Sequence, residues 1–112
     1  MAVNSAEYKT LQCHVSDVRL AVKADLTGVS GDLLSKFLIT QSNDEELRNL
    51  MHPAEDRAAR LVEFIQDKVK QDPKNYHSFI DVLKMRGKTN SDVLRKLQDT
   101  YSGMHCQYHV YS

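Results

Sequence analysis

The sequence predicts an all-α domain, a bundle of six antiparallel helices. Three observations lead there. Apolar residues recur at three- and four-residue spacing in six successive segments, each set off by capping residues or breakers. No alternating segment reads as a paired strand; residues 106–111 come nearest and have no partner segment. Glycine and proline together hold only six of 112 positions, which leaves little punctuation beyond helix ends. At 41% hydrophobic and 27% charged, a chain of this length suits one compact domain rather than a disordered segment.

The first helix is expected from Tyr8 to Ala24, because Leu11, Val15, Val18 and Val22 fall on one stripe. Leu20 lies on the opposite face, which predicts either a kink near that residue or an outward contact. The second helix runs from Ser30 to Leu38, opening at Ser30 or Gly31 and turning Leu33, Leu34 and Phe37 inward. Ser42 and Glu45 have capping-box spacing and open the third, whose apolar positions are Leu47, Leu50 and Met51. It stops before Pro53.

Pro53 suits the first turn of a fourth helix, where a missing N–H costs nothing. That helix reaches Gln71 and carries Ala58, Leu61, Val62, Ile65 and Val69 on one face. Asp72 and Pro73 repeat the device as N-cap and first-turn proline. The fifth helix then presents Tyr76, Phe79, Ile80 and Leu83 and ends before Gly87. Asn90 or Ser91 caps the sixth, with Val93, Leu94, Leu97 and Tyr101 inward and Gly103 as its stop. The domain is thus expected over 6–103, with 1–5 an N-terminal extension and 104–112 a tail.

Fifteen Lys/Arg against fifteen Asp/Glu give zero formal net charge. A helical nucleic-acid-binding domain would show a basic excess. The one dense basic cluster, Lys84 to Lys88, lies between helices and has no interleaved aromatics, so no nucleic-acid partner is expected. A neutral total also removes long-range self-repulsion, compatible with self-association. The longest uncharged apolar runs are as short as Phe37-Leu38-Ile39, so no membrane partner is expected. The first seven residues lack the basic start and apolar core of a signal peptide, and Cys13 and Cys106 have no framework spacing. A reduced, cytoplasmic setting follows as the expectation.

No catalytic constellation stands out: there is no P-loop, GxGxxG, GxSxG or HExxH. Cys13 and His14 are adjacent and point about 100° apart on a helix, so they do not form a dyad. They read as a small buried cysteine beside a surface histidine. His105, Cys106 and His109 are three potential zinc ligands, but a closed site needs four and no second cluster follows. Neither a metal nor a cofactor is expected.

With six helices laid out, three segments carry a resemblance. Asp32-Leu33-Leu34-Ser35-Lys36-Phe37-Leu38-Ile39-Thr40, followed by a short acidic helix, resembles helices two and three of caspase-recruitment domains (CARD), of the death-fold superfamily. Asp56-Arg57-Ala58-Ala59-Arg60-Leu61-Val62-Glu63-Phe64-Ile65 is similar to the fourth helix of that family. Asn75-Tyr76-His77-Ser78-Phe79-Ile80-Asp81-Val82-Leu83 is similar to its fifth. The likeness covers about residues 6 to 102 and rests on pattern and order. A broken first helix and the fourth-helix block favour this subfamily over death-effector, death or pyrin domains, which share the adaptor role.

The resemblance implies a six-helix Greek-key bundle without catalytic activity, binding other CARD-containing proteins: a second copy, a caspase or an adaptor. Such domains assemble apoptotic or innate-immune signalling complexes, often as homo-oligomers or filaments. It also implies that basic groups on helices one and four meet acidic groups on helices two and three of a neighbour. The matching positions are Arg19, Lys23, Arg57 and Arg60 on the basic side, and Asp32, Asp44, Glu45 and Glu46 on the acidic side. Two signs on different faces make head-to-tail contacts that propagate unless a rotation closes them. Each charge also has a local explanation: Asp44, Glu45 and Glu46 suit the positive end of a helix, and Asp56 and Arg60 have pairing distance i,i+4.

Overall fold

Where one first helix was expected, the chain folds as two. The computed structural model describes residues 5–86 and 90–111, with backbone alone over 104–111. Its described residues form seven helices and no strand. These are α1 (Ala6–Cys13), α2 (Val15–Lys23), α3 (Leu26–Ser35), α4 (Gln41–Leu47), α5 (Ala54–Gln71), α6 (Lys74–Met85) and α7 (Ser91–Tyr111).

Ser5 caps α1 by accepting the Tyr8 N–H at 3.1 Å. The break falls at His14, with φ −120° and ψ 26°, and not near Leu20. There the chain tightens, the His14 N–H bonding back to Leu11 O at 3.1 Å. The His14 ring is pinned by Thr100 of α7, Nε2 to Oγ1 at 2.6 Å. Leu20 sits inside regular α2 and is 68% exposed. Cys13 is exposed and His14 half-buried, the reverse of the sequence expectation.

Helix α3 starts earlier than expected because Asp25, not Ser30 or Gly31, is the N-cap and accepts the Gly28 N–H. Glycine at 28 matters: a Cβ there would overlap the Asp25 carboxylate and the Arg86 guanidinium. The helix also ends earlier, at Ser35. The Phe37 N–H bonds to Leu34 O at 3.1 Å and the Leu38 N–H to Leu33 O at 2.9 Å. That pair of bonds is the Schellman closure, which needs a left-handed residue at its centre. Phe37 supplies it with φ 61°. Leu38 then packs inward, while the Phe37 side chain, expected in the core, is 86% exposed.

Helix α4 is capped by Thr40, whose hydroxyl accepts the Asn43 N–H while the Asn43 side chain accepts the Thr40 N–H, both at 3.1 Å. This reciprocal pair displaces the expected Ser42–Glu45 box. Because α4 ends at Leu47, Leu50 and Met51 fall in the following loop, 84% and 87% exposed rather than inward. Pro53 immediately precedes α5, whose stripe Ala58, Leu61, Val62, Ile65 and Val69 is wholly buried. Asp72 closes α5 and its carboxylate accepts the Lys74 N–H, while Pro73, expected in the first turn, itself takes the N-cap position of α6.

Asn90 precedes α7, buried, its side-chain amide donating to Leu83 O at 2.9 Å. Helix α7 runs through Gly103, which costs a helix about 1 kcal/mol without ending it. Residues 106–111, the nearest approach to a strand pattern, are helical. The side chains of His105, Cys106 and His109, and Lys88 of the basic cluster, lie outside the described residues. Helix α5 is the hub, packing on α1, α2, α3, α4 and α6, while α7 covers α1, α2 and α6. No helix among the described residues is long and apolar enough to cross a membrane.

Candidate interaction surface

Packing of α2 on α5 brings together two basic segments that are remote in sequence. A groove of about 480 Å³ runs between them. Leu20 and the half-buried Ala59 line it together with Arg19, Lys23 and Asp56, and the buried Ala58 lies beneath. A smaller groove of about 200 Å³ adjoins it, lined by Glu46, Leu47, His52, Arg57 and Arg60. Asp56 lines both, so all four basic residues named by the resemblance border one continuous surface.

Their availability differs. The Lys23 ammonium bonds to Glu55 at 3.1 Å across the groove. Arg57 turns back on the chain, donating from Nε to His52 O at 3.1 Å and from Nη1 to Leu47 O at 3.2 Å. Arg60 donates to Glu46 at 2.8 Å and Glu63 at 2.9 Å, and lies 4.4 Å over the Phe64 ring. Those two carboxylates, Glu46 foremost, push the Arg60 pKa further up. Arg19 is exposed and has no ion pair among the described residues; the same holds for Asp56. The anticipated Asp56–Arg60 pair does not form.

On the acidic side, only Glu45 is exposed without an ion pair among the described residues. Asp32 is bound by Arg86 of the α6 terminus, Nη2 at 2.6 Å, and the same guanidinium reaches Asp25 at 3.2 Å. Glu46 is taken by Arg60. Asp44 is buried, only 5% exposed, accepting from the Ser30 hydroxyl at 2.6 Å and from Arg48 Nε at 2.9 Å. Burial pushes its carboxyl up, and the Ser30 and Arg48 bonds outweigh that and hold it below the ordinary carboxylate range. The two signs therefore meet inside one chain at Glu46–Arg60, on adjoining rather than separate surfaces.

Apolar side chains missed as surface groups complete the picture: Phe37, Leu50 and Met51 join Leu20 in the solvent. Only Leu20 was legible beforehand, from its place opposite the apolar stripe. No protein-family model, curated protein or solved structure matches this chain.

Proposed function

We propose that this chain is a non-catalytic protein–protein interaction domain of the caspase-recruitment type, a six-helix Greek-key death fold whose first helix is split into α1 and α2. It assembles with domains of its own kind, a second copy first among them, as an adaptor in apoptotic or innate-immune signalling. The observation that carries this proposal is the α2–α5 groove. A large aliphatic side chain, Leu20, stands in solvent beside an arginine with no ion pair among the described residues, in a groove also lined by Ala59. An unengaged arginine beside exposed apolar surface suits a desolvating partner, since a few buried groups, arginines prominent among them, dominate interface energy. The interrupted first helix, which the resemblance implies, supports the subfamily.

Light scattering on a size-exclusion column, across protein concentration and salt, tests this with wild type and Arg19→Glu. Mass that grows with concentration and collapses in Arg19→Glu or at high salt is the expected result. A monomer under every condition overturns self-assembly as the function.

A further inference from the structure

Phe37 combines a left-handed backbone with an exposed ring. Its backbone holds φ 61° at the Schellman centre of α3, a position where glycine carries no steric penalty and a bulky side chain does. Among the described residues, burial of its side chain does not offset that strain, because the ring is 86% exposed. Strain kept at a residue that does no work in its own fold points to work done elsewhere.

The α2–α5 groove has the complementary shape and charge. The small side chain of Ala59 leaves space in the groove, and an aromatic side chain offers roughly 150–250 Å² for burial. Arg19 on the rim suits the face of an incoming aromatic, the contact that Arg60 already makes with Phe64 in this chain. Lys36, which precedes Phe37, is exposed and has no ion pair among the described residues. Asp56, on the opposite rim, is likewise unengaged. Among the described residues, cation and carboxylate each lack an ion-pair partner, and each gains one when the corner between α3 and α4 meets the groove.

We infer, building on the self-association proposed above, that Phe37 of one copy inserts into the Arg19–Leu20–Ala59 groove of a second copy, with Lys36 paired to Asp56. Plug and socket lie on different parts of the surface, so the contact is heterologous and repeats from copy to copy. The energetic centre is thus an aromatic anchor, with the ion pairs setting register around it.

Complementation tests this. Phe37→Gly removes the plug at a position that prefers glycine, so it keeps the fold, and it leaves the socket intact. Ala59→Arg fills the socket and leaves the plug. Scattering on the full chain is expected to give concentration-dependent assembly for wild type, an apparent Kd at least tenfold weaker for each variant alone, and a 1:1 complex when the two variants are mixed. Assembly of Phe37→Gly at wild-type concentrations overturns the plug while leaving the proposed function standing. Loss of assembly in Phe37→Gly without pairing in the mixture, with Ala59→Arg folded by circular dichroism, overturns the socket. A wild type that stays monomeric removes the proposed function and this contact with it.

Discussion

Glu46 Oε2 accepts a hydrogen bond from Arg60 Nε at 2.8 Å, joining α4 to α5. The link has a consequence for any charge-reversal experiment. At Arg60 a glutamate would face both Glu46 and Glu63, so loss of assembly there would mix a local structural effect with an interface effect. Arg19 has no ion pair of this kind among the described residues.

Stability measurements should separate the two. The Arg60 pairs are about half exposed, and pairs of that kind contribute about 0.2–1 kcal/mol each. Arg60→Glu is therefore expected to lower unfolding free energy by about 1–2 kcal/mol, and Arg19→Glu to stay within about 0.5 kcal/mol of wild type. Urea titrations followed by circular dichroism give both numbers. A large loss for Arg19→Glu would show that its side chain supports the fold.

Asp44 is the buried polar centre of α3–α4 packing. Truncation to alanine leaves the Ser30 hydroxyl without its acceptor and Arg48 without its carboxylate. The expected cost is about 1–3 kcal/mol, the range for a buried group deprived of a hydrogen-bond partner. The pH dependence has a definite sign. Because the folded-state pKa of Asp44 is depressed, its stabilisation is fully present above the unfolded value of about 3.9 and fades as pH falls through the lower folded value. The stability gap between wild type and Asp44→Asn should narrow below about pH 4. A gap that is constant from neutral to acid pH would contradict this.

Arg57 acts as a clamp rather than as a surface charge. Its guanidinium spans Leu47 O and His52 O, the two ends of the α4–α5 loop. Arg57→Lys puts a single ammonium where two separately directed donors are needed and is expected to lose about 1–2 kcal/mol. Hydrogen exchange should quicken at the loop amides 48–52 more than in the α5 interior. Uniform acceleration across the domain would point to a global rather than a local role.

The core stripes were legible in the sequence, as were the end of α5 at Gln71 and the start of α7 at Ser91, whereas the ends of α3 and α4 were not, for one physical reason. Burial follows the 3.6-residue period, so Leu11, Val18 and Val22, or Leu61, Ile65 and Val69, declare their side without further information. Ends depend on which polar side chain wins the free N–H groups. Thr40 with Asn43 and Ser42 with Glu45 are both adequate caps by composition, and only the path of the chain into α4 selects the first. Once an end moves, apolar residues beyond it change meaning: Leu50 and Met51 leave the core because α4 stops at Leu47. The basic surface was legible as a list of residues. Its use by the chain's own carbonyls and carboxylates was not, since Arg57–Leu47 and Arg60–Glu46 are tertiary contacts.

Phe37 gives the most direct stability prediction because its sign runs against intuition. Replacing a large apolar residue usually destabilises a domain, through lost burial and a cavity. Neither term applies to a ring that is 86% exposed. What remains is the left-handed backbone, costing roughly 1–2 kcal/mol with a Cβ and almost nothing with glycine. Against this, glycine enlarges the entropy of the unfolded chain by roughly 0.5–1 kcal/mol. The balance favours Phe37→Gly by about 0.5–1 kcal/mol, with the Schellman bonds to Leu33 O and Leu34 O preserved. Thermal and urea unfolding of monomeric samples should show a higher midpoint with an unchanged urea m-value. A lower midpoint would mean that the ring packs on its own domain in solution, which would remove the strain on which its role as an anchor depends.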